Sequence, residues 1–313
     1  MKPTFFLPGL LLICLALGGC GGSPTSPVSD GNRETNPQRL QIVCTTTMIE
    51  DLARNLAGDK ADVHGIMRPG EDPHIYHVRP RDAEQIGDAD LIFTNGFHLE
   101  ATLEKVIDNN ARGAVVPLAE KAVATPLTGI DGTAAPDPHC WMNVNYFRGY
   151  LQHALEALIA ADPKNAAYYQ KNAATYDAQL AALNDWIKAE IASIPEQQRV
   201  VVTSHDAFNY LADVYNIEVR AIVGISTAQA PRPQDIEKIE AVINDRNVRA
   251  VFVETSVSST LNSLVKKSAA ATGAKIGGTL YSDSLDEPGK PAGSYLGMMN
   301  HNVSTIVDAL QGS

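Results

Sequence analysis

From Leu40 onward, short apolar runs alternate with stretches of helical periodicity. That alternation confines the chain to βαβ units and parallel sheets. The strand-like runs fall into two sets of four. The first set is Leu40–Thr45, Ala61–Ile66, Leu91–Thr94 and Ala114–Leu118, with helical stretches near Met48–Ala57, Arg81–Ile86 and Leu99–Asn109. The second is Arg199–Thr203, Glu218–Ile222, Ala250–Glu254 and Lys275–Leu280, with helices near Phe208–Val214, Gln234–Asp245, Thr260–Thr272 and Tyr295–Leu310. Between the sets, the longest helical pattern runs from Pro163 to Ile191, with Asp162 as N-cap, Pro163 at the first helical position and Pro195 as the stop. Tyr169, Ala173, Tyr176, Leu180, Leu183, Ile187 and Ile191 recur at steps of three or four and give it one apolar stripe. At about 1.5 Å per residue this helix reaches roughly 40 Å, enough to run from one half to the other. The expected fold class is α/β: two halves with four-stranded parallel sheets, bridged by a helix that resists bending and allows only modest motion.

With 313 residues, two domains can each bury a core. A formal charge of −11 speaks against a nucleic-acid binder, which needs clustered Lys and Arg against phosphates. The N-terminus reads as a targeting segment. Lys2 precedes an apolar stretch, Phe5 to Leu17, that is too short to span a bilayer. It ends in Leu17-Gly18-Gly19-Cys20, which resembles a bacterial lipoprotein signal with Cys20 as the lipidated first residue. Several acyl chains on one cysteine anchor a protein stably. The expected organisation is a signal peptide over residues 1–20, a Gly/Ser/Pro-rich disordered tether over 21–38, an α/β lobe over 39–162, a linking helix over 163–194 and a second lobe over 195–313. Such a protein is extracytoplasmic, held by its lipid anchor in the periplasm or on the outer face of the cell membrane, and is expected to be a monomer. Cys14 leaves with the signal. Cys44 and Cys140 are then either a disulfide in an oxidising compartment or two small buried apolar groups. Cys140 adjoins His139 as a soft-ligand candidate whose side chain is expected to point away.

Two copies of one tripeptide, Asp72-Pro73-His74 and Asp137-Pro138-His139, sit in loops after strand-like runs. A proline beside each histidine stiffens the loop. His205 follows Arg199–Thr203, and Asp283 follows Lys275–Leu280. In open α/β sheets, ligands bind beyond the carboxyl ends of the strands, where these four residues fall. Three imidazoles and one carboxylate suit one divalent ion such as zinc and tolerate manganese. The competing reading is a zinc-dependent hydrolase with a His3Asp site. Catalytic zinc, however, keeps three protein ligands and an open position, and no HExxH helix or Ser/Cys nucleophile motif is present. His64, His153 and His301 read as surface or core residues, and His98 as a neighbour of the site. His77 is a candidate transient or outer ligand, and Asp206 and Glu254 are candidate acceptors for the ligand imidazoles.

These motifs resemble the zinc- and manganese-type metal-receptor lipoproteins, the substrate-binding components of bacterial ABC importers. The resemblance runs from Cys44-Thr-Thr-Thr-Met-Ile-Glu-Asp51 to Met299-Asn-His-Asn302. Between these lie Gly70-Glu-Asp-Pro-His-Ile-Tyr76, Asn95-Gly-Phe-His-Leu-Glu100, Asp137-Pro-His-Cys-Trp-Met-Asn143, Ser204-His-Asp-Ala-Phe208, Tyr281-Ser-Asp-Ser-Leu285 and Gly293-Ser-Tyr-Leu-Gly-Met-Met299. It implies two similar lobes joined by one rigid helix, with the ion between them held by His74, His139, His205 and Asp283. It also implies an ABC permease membrane subunit as partner and metal import, not catalysis, as the function. Zinc-dedicated members often carry a His-rich loop before the second Asp-Pro-His, whereas Thr125 to Ala135 has no histidine. Manganese-dedicated members typically place Glu where this chain has His205. The chain therefore resembles the His-rich intermediate type, for which a third imidazole favours zinc.

Overall fold

The computed structural model describes residues 39–129 and 134–312. The signal segment with Cys20, the tether and part of the Thr125–Ala135 loop lie outside the described residues.

The elements run β1 (Leu40–Cys44), α1 (Thr47–Ala57), β2 (Ala61–Gly65), α2 (Pro80–Asp88), β3 (Leu91–Thr94), α3 (Ala101–Asn110), β4 (Ala114–Pro117), α4 (Leu118–Ala122), α5 (Val144–Ala161) and α6 (Ala166–Ser193). They continue with β5 (Val200–Thr203), α7 (Asn209–Tyr215), β6 (Glu218–Ala221), α8 (Pro233–Asp245), β7 (Ala250–Glu254), α9 (Ser259–Thr272), β8 (Lys275–Leu280) and α10 (Tyr295–Gln311). The strands form two parallel sheets with the same topology, β2-β1-β3-β4 and β6-β5-β7-β8. In each sheet the strand order reverses beside the first strand, and at such a switch point the loops at the carboxyl ends diverge and leave a crevice. Central strands such as Leu91–Thr94, Val200–Thr203 and Ala250–Glu254 are buried along their whole length. That burial on both faces is why they read as continuous apolar runs. The edge strand β8 carries Gly277 where a Cβ would sit 2.6 Å from Phe252 and 2.8 Å from Ala309, so glycine lets α10 lie close against the sheet.

The eight strands match the sequence-based expectation to within a residue at their ends. The long helix starts later than expected. Pro163–Asn165 form a single 3-10 turn and the α-helix begins at Ala166. Asp162 closes α5, and its carboxylate accepts hydrogen bonds from Asn165 Nδ2 and the Tyr169 hydroxyl, both at 2.7 Å. The preceding 18-residue helix α5 is absent from the sequence-based expectation, because only Asp162-Pro163 divides it from the longer pattern. Its buried face (Val144, Phe147, Tyr150, Leu151, Ala154, Leu158) has the same spacing of three to four.

One apolar core runs through both lobes. It joins Ile42, Leu91 and Phe93 of the first sheet and the α6 stripe from Tyr169 to Ile191 to Val201, Phe252 and α10. The junction is also polar. The Phe147 and Tyr295 rings stack at 3.7 Å, the Tyr295 hydroxyl donates to Trp141 O (2.6 Å), Trp141 Nε1 donates to Ser282 O (3.0 Å), and Tyr295 N donates to Asp51 Oδ2 (3.0 Å). Among the described residues no helix is long and apolar enough to cross a membrane.

Candidate metal centre

Both Asp-Pro-His tripeptides make the same short bond, although the first opens a 3-10 turn at Pro73–Ile75 and the second precedes one at Cys140–Met142. The aspartate accepts the backbone N–H of the histidine two residues on, at 2.9 Å for Asp72–His74 and 3.0 Å for Asp137–His139. The intervening proline has no N–H to compete for that carboxylate. The side-chain surroundings then differ. Asp137 Oδ1 also lies 2.8 Å from His139 Nδ1, so one carboxylate fixes both the backbone and the ring of its histidine. Asp137 is itself held by the second lobe, through Asn209 Nδ2 (3.2 Å) to its carboxylate and the Tyr210 hydroxyl (2.9 Å) to its carbonyl.

The second tripeptide is braced from the first sheet as well. After β3, Gly96, Phe97 and His98 all adopt left-handed backbone, with φ of 89°, 52° and 58°. The buried Glu100 carboxylate holds this turn by accepting from Asn95 N (2.6 Å), Gly96 N (3.2 Å) and the Thr45 hydroxyl (2.6 Å). Asn95 then donates to Pro138 O at 2.9 Å. The costly φ values at Phe97 and His98 persist because the surrounding bonds over-determine them.

His205 leaves the end of β5, where Glu254 at the end of β7 captures it. Glu254 Oε1 accepts from Ser204 N (2.7 Å) and His205 N (2.9 Å), and Oε2 lies 2.6 Å from His205 Nδ1. Asp283 follows β8, its backbone N–H directed at Ser256 Oγ (3.3 Å).

These four loops bring His74, His139, His205 and Asp283 together, with one ligand-type atom from each lying within 4.8 Å of the others. His74 Nε2 is 3.2 Å from His139 Nε2, His139 Nε2 is 3.3 Å from Asp283 Oδ1, and His205 Nε2 is 3.1 Å from Asp283 Oδ2. A tetrahedral zinc with bonds of about 2.0–2.1 Å has edges of about 3.3–3.4 Å, which these three separations approach, and the 4.8 Å spread of the whole group leaves one ion within reach of all four after small ring shifts. His205 Nε2 and Asp283 Oδ1 are buried without an aligned hydrogen-bond partner, a costly state for polar atoms unless something else binds them. The His205 Nδ1–Glu254 Oε2 contact is close but also poorly aligned, an electrostatic contact that faces the ring with negative charge.

The electrostatics separate the imidazoles. Burial and the neighbouring His139 and His205 charges outweigh Asp283 and push His74 down to about 3. Burial also opposes charge on His139, but Asp137 and Asp283 prevail and raise it to about 9. Burial is likewise overcome at His205, where Glu254 and Asp283 raise it well above the usual range. Asp283, despite burial, is held well below the carboxylate range by His205 and His139. The two flanked imidazoles thus favour positive charge at this point, whether a proton or a cation.

A sequence profile described as zinc-uptake complex component A, periplasmic (ZnuA), matches residues 42–309. The chain belongs to this family. Within the ZnuA family, the manganese-binding lipoprotein MntA of Bacillus subtilis is 34% identical over 309 residues, covering 97% of this chain and 98% of that one. The zinc-binding protein TroA of Treponema pallidum is 34% identical over 273 residues, 86% and 88% of the two chains. The solved periplasmic zinc-binding protein TroA superposes with a TM-score of 0.83 at 33% identity, covering 87% of this chain and 99% of that one. The manganese-bound periplasmic metal-binding protein of Candidatus Liberibacter asiaticus gives 0.78 at 28% identity, covering 87% and 100%. Two α/β lobes on a long helix are therefore the ZnuA-family architecture of this chain.

Several histidines fall away from the cluster. His77 is exposed, and His98 is exposed and contacts Glu104 at 2.8 Å. Cys44 and Cys140 are free and buried, with Cys140 Sγ turned toward Asp137 O. Of the two acceptor candidates, Glu254 touches a cluster imidazole, whereas Asp206 N bonds to Gly224 O. Asp137, the acceptor at His139, is missed by sequence reasoning, although its place two residues before a candidate ligand was the available signal. Glu254→Gln keeps the oxygen that caps Ser204 and His205 but removes the charge facing Nδ1. It is expected to weaken zinc binding about 10- to 100-fold, the usual cost of losing such a support, as read by chelator-competition titration.

Proposed function

We propose that His74, His139, His205 and Asp283 are the protein ligands of a single divalent ion, zinc or manganese. The protein captures this ion outside the cytoplasm and delivers it to an ABC permease. The observation that carries the reading is the convergence of three imidazole nitrogens and one carboxylate within 4.8 Å of one another, with three of the pairs at 3.1–3.3 Å. Family membership supports it, since relatives named as manganese- and zinc-binding proteins match over most of this chain. Three nitrogen donors favour zinc over manganese by ligand type and by the Irving–Williams order.

Four protein donors fill a tetrahedron and leave no position for an activated water, which favours a receptor over a hydrolase. Residues 39–162 and 195–313 act as the two jaws and residues 163–194 as the strut. Residues 1–20 act as a lipoprotein signal, with Cys20 as the anchor and 21–38 as the tether of a monomer facing the permease. The ion is cargo: the imidazoles and Asp283 replace its waters on capture, and docking on the permease biases the jaws apart for release.

Metal-free protein titrated with Zn2+ or Mn2+ against a competing chelator is expected to bind one equivalent of either, zinc more tightly, with no turnover of ester or phosphate substrates. Absence of saturable one-to-one binding by both ions would overturn the reading.

A further inference from the structure

The least enclosed member of the cluster is His74: the rings of His139 and His205 and the Asp283 carboxylate are buried, whereas His74 is half-buried. Its position depends on the turn in which Asp72 Oδ1 accepts its backbone N–H. The other oxygen of that carboxylate, Oδ2, accepts a 2.6 Å hydrogen bond from the hydroxyl of Thr227, which belongs to the opposite lobe. Asp137 places its carboxylate on the ring of His139, whereas Asp72 hands its second oxygen across the cleft.

Thr227 sits in the connection between β6 and α8. The start of this strap is tied to the His205 turn: Ile222 N donates to Thr203 O, Val223 N to Ser204 O, and Asp206 N to Gly224 O. Its far end enters α8, where Arg232 and Asp235 bond to each other. Between these ends, Ala228, Gln229 and Ala230 are exposed. Strap residues from Ala221 to Gly224, Gln229 and Ala230 line a polar cavity of about 500 Å3, together with Asp206, Asp235 and Lys238. It joins the loop of one cluster histidine, His205, to the loop of another, His74, and its link to the latter is the Thr227 hydroxyl.

We propose that Thr227 is a positioning residue for metal retention: its hydroxyl fixes the Asp72 carboxylate, which fixes His74, so that the second lobe holds a ligand of the first in place. Separation of the lobes breaks this bond and frees the most exposed ligand first, which makes His74 the point of exit. The inference rests on the metal-receptor reading above. A bond to a carboxylate is worth enough that its loss speeds escape about tenfold.

The test is stopped-flow transfer of zinc from the loaded protein to excess EDTA. Thr227→Val and Thr227→Ala, which lack the hydroxyl, are expected to release zinc about tenfold faster than wild type, and Thr227→Ser at close to the wild-type rate. Metal-free Thr227→Ser is expected to melt with wild type, whereas the hydroxyl-free variants, which leave the buried Asp72 Oδ2 without its partner, melt a few degrees lower while staying folded at the assay temperature. If wild type fails to hold one zinc, the receptor reading falls and this inference with it. If wild type holds zinc but both hydroxyl-free variants release it at the wild-type rate, only the role of Thr227 falls. Release from Thr227→Ser as fast as from Thr227→Val overturns it equally, because the hydroxyl is then not the anchor.

Discussion

His139→Ala is expected to loosen zinc binding by roughly a hundred- to a thousandfold and to abolish most of the metal-induced rise in melting temperature. Structural zinc sites bind with about 10–16 kcal/mol, so one ligand of four carries about 2.5–4 kcal/mol, which corresponds to that factor. His139 is the most connected of the four. It is buried, its Nε2 lies 3.2 Å from His74 Nε2 and 3.3 Å from Asp283 Oδ1, and its Nδ1 faces Asp137. Truncation removes a ligand atom and leaves the Asp137 carboxylate buried without its ring partner. A ligand at a hundred times its Kd stabilises the native state by about 2.7 kcal/mol, and that increment disappears once affinity falls below the working concentration. Competition titration together with thermal melts, with and without zinc, reads both effects. His98→Ala, an exposed residue paired with Glu104, is the matched control and should bind as wild type. Unchanged zinc titration in His139→Ala would remove this residue from the site and with it the tetrahedral geometry.

The strands and the four converging side chains were legible because each rests on local signals. Val200–Thr203 and Ala250–Glu254 are valine-containing runs buried on both faces, and the duplicated Asp-Pro-His announces its own turn. Helix α5 was not legible, because its apolar spacing continues into α6 with only Asp162-Pro163 between them. The supports around the site were harder still. Glu254 reaches His205 from the next strand of the sheet, a proximity that strand order supplies and residue spacing does not. Thr227 bonds to Asp72 across 155 residues, a pairing that no periodicity encodes. Glu100 holds three consecutive left-handed residues that sequence assigned to no special conformation. The identity of the candidate ligands is thus carried by motif and register, whereas their restraint is carried by tertiary contacts between elements far apart in the chain.

Lowering the pH from about 7.5 to 5.5 is expected to weaken zinc binding by about a hundredfold to ten-thousandfold, because capture displaces protons from the same atoms that bind the ion. Burial lowers the proton affinity of His139, but Asp137 and Asp283 more than compensate and raise it to about 9; burial at His205 is likewise overcome by Glu254 and Asp283. His74, pushed down to about 3 chiefly by burial, is neutral throughout this range and contributes nothing to the slope. The metal-free site therefore carries up to two protons at neutral pH, and one divalent cation replaces two positive charges with two. Each proton displaced makes affinity fall tenfold per pH unit on the acid side of its group's pKa, so one to two protons over two units give the stated range. The sign for stability follows. For His139 and His205, whose folded pKa lies above the unfolded value, the contribution to the metal-free protein is present below about pH 6.5 and lost as pH rises through the folded pKa, about 9 for His139. The ion contributes in the opposite sense, so the zinc-induced rise in melting temperature should grow between pH 6 and 8. Titrations across this range, with calorimetry in buffers of different ionisation enthalpy, count the protons released. An affinity independent of pH would mean that His139 and His205 are already neutral before the ion arrives, and that the flanking carboxylates orient the imidazoles without holding protons on them.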